Sequence, residues 1–231
     1  MRMILFCSGW DTSIYFINNP LEEVLSFKLL GLTICHDLSC ESHISKLASK
    51  ASCRLGILRH EKSFLSPPEL LSTYNVFVRS LIEYCSPLWA AAPASHLSRL
   101  HAVETKAFRI IAISRDKAES LGLSLSHRRK VGGLSLFSRL ISGLPPCPVF
   151  DMSSLYVSAG CSRSPSNPLL VKLPKSRITA HFHSIIPLFS HLWNKLPYSL
   201  QSHSSLKVFK TAVHHHLLSS PIQNHDLFYP R

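Results

Sequence analysis

The apolar positions of this chain change rhythm near residue 40. Before it, Ile14 to Phe16 and Val24 to Phe27 are short extended pieces on either side of Asn18, Asn19 and Pro20, a turn signal that predicts a hairpin. The second piece runs into FKLLGLTI, Phe27 to Ile34, apolar enough for a strand and interrupted by Gly31, where another backbone can approach closely. From His43 the period is helical. Ile44, Leu47, Ala48, Ala51, Leu55 and Leu58 fall on one stripe about 100° wide. Lys46, Lys50 and Arg54 follow on its flank at i, i+4 and i+8.

A second helix is announced by Ser66, Pro67, Pro68 and Glu69: a capping serine, prolines suited to the first turn, and a glutamate placed to complete a capping box. Its body, Leu70 to Tyr84, is apolar around much of its circumference through Leu70, Tyr74, Phe77, Val78 and Leu81, which predicts a central buried helix ended by Pro87. A third runs from about His96 to Ile111 with Leu97, Leu100, Val103, Ala107 and Ile111 inward and Arg99, Lys106 and Arg109 outward; Glu104 falls inside the apolar arc and does not fit. A fourth, over His127 to Gly143, has a basic entry at Arg128, Arg129 and Lys130 and a break expected near Gly132 and Gly133. Leu144 to Pro174 reads as a Pro-, Ser- and Gly-rich connector. Periodicity returns over Phe182 to Leu218 in two pieces separated by Lys195, Leu196 and Pro197, with a frayed end after Ser219. The fold class is mainly α, with a short N-terminal β hairpin and strand.

Charge narrows the partners. Lys plus Arg outnumber Asp plus Glu by 25 to 13, giving a formal charge of +12 that favours a polyanion: nucleic acid first, an anionic membrane surface second. The cysteines are odd in number, 7, and contain no CxxC pair, so they read as reduced intracellular thiols. The N-terminal run MRMILFCSGW is broken early by Asp11 and lacks the features of a signal peptide, and no apolar run is long enough to span a bilayer. The expectation is an intracellular protein, nuclear or cytoplasmic, and not secreted.

Several strings in this order resemble the region downstream of the polymerase motifs in non-LTR (LINE-type) retrotransposon reverse transcriptases. FKLLGLTI resembles that family's last palm strand, with Leu29 where a tyrosine is common. SFLSPPELLSTYNVFVRSLIEYCSPLWA, Ser63 to Ala90, resembles its thumb signature; HLSRLHAVETKAFRII, His96 to Ile111, and LSLSHRRKVGGLSLFSRLISG resemble the two helices that follow. HLWNKLPYSLQSHSSLKVFK, His191 to Lys210, resembles the W-N-x-L-P block that closes many of these proteins. The resemblance covers roughly residues 14 to 218. The resemblance implies a palm remnant over 1–36, a thumb-like helical region over 37–143, the connector over 144–176 and a C-terminal helical segment over 177–231.

It also implies an RNA-directed DNA polymerase as the full-length parent, using Mg²⁺ held by paired aspartates. Here no two aspartates are adjacent; Asp11, Asp37, Asp116, Asp151 and Asp226 stand alone, and no catalytic residue or cofactor is carried over. The chain by itself is therefore expected to be no enzyme, and to bind RNA, DNA or RNA/DNA hybrid through the phosphate backbone, with the parent's palm and fingers as further partners. The candidate contacts are Lys46, Lys50, Arg54, Arg99, Lys106, Arg109, Arg128, Arg129 and Lys130, each weighed against an ordinary solvated helix face. His214, His215 and His216, with His203, are set against a metal because neighbours on a helix point about 100° apart; His181 and His183 would share a face only on a strand. Tyr74, Phe77, Tyr84, Trp89 and Trp193 read as core rather than as stacking platforms. Two other readings stand beside this one: a non-enzymatic helical interaction protein that binds an acidic protein or membrane surface, and a decayed element copy that never folds stably.

Overall fold

The computed structural model describes residues 4–5, 15–16, 19–20, 22–90, 92–142, 167, 169–175, 184–203 and 205–219, those before residue 24 by their backbone alone. Among them the chain is mainly helical behind short strands. Ile4–Leu5 (β1) pairs in parallel with Glu22–Glu23 (β4), and Tyr15–Phe16 (β2) pairs antiparallel with Asn19–Pro20 (β3). The hairpin expected between Ile14 to Phe16 and Val24 to Phe27 thus closes sooner, with Phe16 opposite Asn19.

Ser26–Leu29 (β5) and Leu32–Cys35 (β6) form a second antiparallel hairpin, with Phe27 opposite Ile34 and Leu29 opposite Leu32. Its turn is Leu30 and Gly31, at φ 47° and 89°. Two successive positive φ values give a turn whose twist matches that of the strands it joins. The stretch Phe27 to Ile34, expected as one interrupted strand, is therefore folded back on itself at its glycine. His43 Nδ1 accepts the Thr33 N–H at 3.3 Å and the Tyr84 hydroxyl donates to the Leu30 carbonyl at 2.7 Å, so the hairpin is fastened at its turn and on its returning strand.

Glu41–Glu61 (α1) buries all six residues of its expected stripe. Pro67–Thr73 (α2) begins with the expected device: Glu69 Oε2 accepts the Ser66 backbone N–H at 2.8 Å and its hydroxyl at 2.6 Å. The helical path continues as a π-helical turn over Tyr74–Arg79 and then Ser80–Glu83 (α3). This wider turn changes which residues face inward. The buried set is Leu70, Tyr74, Val78 and Ile82, spaced by four, whereas Phe77 is 38% exposed and Leu81 only partly buried. A stripe spaced by four drifts around an α-helix of 3.6 residues per turn, and an i→i+5 turn straightens it. The helix ends before Pro87, at Tyr84 and the left-handed Cys85 (φ 52°), and Pro87 lies in the first turn of Ser86–Trp89 (α4).

Ala94–Ile111 (α5) packs along α1 and buries the five residues expected of it. A short Arg115–Ser120 (α6) follows, capped by the Ser114 hydroxyl, which accepts the Lys117 N–H. Leu125–Ile141 (α7) runs unbroken through Gly132 and Gly133, where a break was expected. The absence of a side chain at Gly133 is needed for packing instead: a Cβ there would lie 1.8 Å from Phe189 Cζ on Ile185–Asn194 (α8). Tyr198–Gln201 (α9) and Leu206–Ser219 (α10) complete the order.

Two cores result. The first is built by α1 to α6 around Ile44, Leu58, Tyr74, Ile82, Trp89 and Leu100, and takes Leu125 from the start of α7. The second joins Val131, Leu134 and Phe137 of α7 to Phe189, Trp193 and Phe209. The division between cores thus falls inside α7, ahead of the boundary expected at residue 143. Within the expected connector, Val171 is paired by the Asn194 side chain as by a neighbouring strand: Asn194 accepts its N–H at 3.0 Å and donates to its carbonyl at 2.8 Å. Trp193 Nε1 donates to the Leu169 carbonyl at 2.8 Å. The Trp-Asn pair of the closing block therefore fastens the segment before it.

Candidate nucleic-acid interface

The expected contact residues divide by helix into three settings. Lys46 and Lys50 lie one turn apart on α1, exposed, and make no ion pair among the described residues. Their position follows from the stripe: with Ile44, Leu47, Ala48 and Ala51 turned into the core, the intervening lysines can only face out. Lys46 and Arg99, brought from α5, line one shallow depression with Ser42 and Ser45. Arg99 is held there by Glu41, Nη2 to Oε1 at 3.3 Å. Arg54, third in the sequence stripe, is engaged locally: its guanidinium donates to the Phe77 carbonyl and lies 4.7 Å from the Phe77 ring centroid.

The basic triplet at the start of α7 is drawn into the structure. Arg128 holds Glu83 with two hydrogen bonds, Nε to Oε1 and Nη2 to Oε2, the second at 3.1 Å. Arg129 is buried, stacked 5.7 Å from the Trp89 ring centroid with Nη2 3.3 Å from His101 Nε2. Burial lowers its pKa to about 10, against the pull of Glu104. Lys130 is half-buried, and burial first, then Arg129 and Lys195, push its ammonium below the usual lysine range.

Lys106 and Arg109 are exposed on the outer face of α5. Arg109 and Lys130 meet in a cleft of about 710 Å³ between α5, α6, α7 and α10, which also takes Arg115 and His127. Neither Arg115 nor His127 was among the contacts expected from the sequence. The signal that pointed here was Glu104, the residue that did not fit the apolar arc of its helix. It is buried because it caps α7: Oε1 accepts the Leu125 N–H at 2.6 Å while Oε2 lies 3.3 Å from His101 Nδ1.

No family model, curated protein or solved structure matches this chain. Chemistry must therefore be read from the side chains. Among the described residues no group of three or more His, Cys, Asp or Glu is placed to hold a metal ion. His214 is occupied by His127, Nδ1 to Nε2 at 2.8 Å, while His181 and His183 lie outside the described residues. Tyr74, Trp89 and Trp193 are core; Phe77 and Tyr84 reach the surface. Among the described residues no helix is long and apolar enough to cross a membrane.

Proposed function

We propose that this chain is the C-terminal part of a LINE-type reverse transcriptase, from the end of the palm through the thumb and C-terminal region, and that it binds RNA, DNA or their hybrid by the phosphate backbone without performing polymerase chemistry. The observation that carries the reading is the α1 surface, where Lys46 and Lys50 stand exposed and free of ion pairs with described residues, with Arg99 beside Lys46, on a chain of formal charge +12. A helix so charged attracts a polyanion and reads its spacing of charge, not its sequence. The ordered strings that resemble the family support the same reading, as does the contact between two of them, where Tyr84 of the thumb-like signature meets Leu30 of the palm-like strand.

The test is a salt titration with labelled duplex DNA, single-stranded RNA and their hybrid, against an acidic polypeptide of equal charge. On duplex, log K should fall linearly with log salt at about 0.9 per phosphate neutralised, whatever the sequence. Equal or tighter binding of the polypeptide would favour a protein-interaction role instead. Template-dependent primer extension by the chain alone would overturn the assignment of no catalytic step.

A further inference from the structure

The cleft between α5, α6, α7 and α10 has the size and the lining of a small-molecule site. Its volume, about 710 Å³, lies in the range that accepts a ligand of nucleotide size. Its cations, Arg109, Arg115 and Lys130, come from three helices, so the tertiary fold rather than a local run of charge gathers them.

Two carboxylates, Glu104 and Glu119, share the lining with this set. Glu104 is turned to the Leu125 N–H and His101, and Glu119 pairs with Arg115 at 3.1 Å, which leaves Arg109 without an ion pair among the described residues. The titrating groups report the same field: Lys130 is pushed down by burial and by Arg129 and Lys195, and His127 by burial, His214, Arg128 and Lys130. A half-buried lysine held among other cations gains from an anion that enters beside it. Bare phosphate would leave most of the space empty. Phe108, Ile113 and Leu217 supply an apolar wall, and Ser124 and Ser126 supply hydroxyls, which suits an anion carried on a flat, hydrogen-bonding body.

We infer that this cleft binds one nucleoside monophosphate unit, its phosphate against Arg109 and Lys130 and its base against the Phe108 and Leu217 wall. The unit is either a free nucleotide or the phosphorylated end of a strand. This goes beyond backbone binding on α1, and the two are tested separately.

Isothermal titration of the full chain with adenosine monophosphate, adenosine and inorganic phosphate is the direct test. The monophosphate should bind one to one and at least about tenfold more tightly than either part. Arg109→Gln, at an exposed position, should weaken it about tenfold with an unchanged melting curve, while Lys46→Gln with Lys50→Gln should leave it unchanged. A 5′-phosphorylated oligonucleotide competing better than its 5′-hydroxyl form would identify the strand end as the source; competition by the free nucleotide alone would identify the small molecule. Equal binding of adenosine and its monophosphate, no binding of either, or monophosphate binding indifferent to Arg109→Gln would overturn the proposal.

Discussion

Glu104 accepts the backbone N–H of Leu125 at 2.6 Å, so a carboxylate in the middle of α5 caps the first turn of α7. The first N–H groups of a helix have no partner within it, and this one is buried. Replacing Glu104 by leucine keeps the volume but leaves the amide unsatisfied and Arg129 without its nearby carboxylate. A loss of about 1 to 3 kcal/mol is expected in denaturant unfolding. Glutamine, which can still accept, should cost less; equal costs would mean that the cap contributes nothing.

Adjacent glycines on α7 should respond with opposite signs. A Cβ on Gly132 meets nothing within 4 Å, and Gly132→Ala should stabilise by about 0.5 to 1 kcal/mol through helix propensity. A Cβ on Gly133 would strike the Phe189 ring, and Gly133→Ala should destabilise by roughly 1 to 3 kcal/mol by forcing α7 and α8 apart. Thermal melts of the two variants side by side decide it.

The α1 stripe should split into two kinds of residue. Lys46→Gln with Lys50→Gln should flatten the dependence of log K on log salt by roughly 2 units on duplex DNA, with the melting temperature unchanged. Arg54→Gln should scarcely alter the slope and should lower the melting temperature, since Arg54 is engaged with Phe77. A slope unchanged by the double variant would make this face an ordinary solvated surface.

Acid should loosen the junction of α7 and α10. His127 and His214 share one hydrogen bond, and burial followed by His214, Arg128 and Lys130 holds the His127 pKa at about 4. His214 is also lowered, by burial and then by His215 and Arg128. A folded-state pKa below the ordinary 6.5 means that the unfolded chain takes up protons first. This contribution is therefore whole above pH 6.5 and lost as pH falls toward about 4. Glu104 and Glu119 also line the cleft beside His127, so the measurement is a difference: melting temperature against pH for the wild type minus that for His127→Gln. No difference in slope between the two would acquit the pair.

The second helix shows what the sequence could and could not tell. Its start was legible because a capping box is local chemistry, and α1 and α5 were legible because one clean stripe determines one buried face. The π-helical turn left no such mark, and it moved Phe77 outward and Ile82 inward. Ile82→Ala should accordingly cost about 2 to 5 kcal/mol, and Phe77→Ala about 1 kcal/mol, the worth of its contact with Arg54. Of the candidate site, the exposure of Lys46 and Lys50 followed from the stripe. The fate of Arg128 and Arg129 did not, because Glu83 and Trp89 lie far away in sequence and only packing brings them close.

α7 is joined by the chain to the first half of the protein, yet Val131, Leu134 and Phe137 belong to an interior whose other buried members run from Val171 to Leu217. The second interior thus draws residues from both sides of the interval between Ile141 and Val171. A protease cut in that interval would turn one polymer into two that still share an interior, with Trp193 wedged between Phe137, at 5.9 Å, and Phe209, at 5.7 Å between ring centroids. The nicked molecule would elute from a sizing column as one particle and run on a denaturing gel as two bands, and the halves made as separate polypeptides would complement each other.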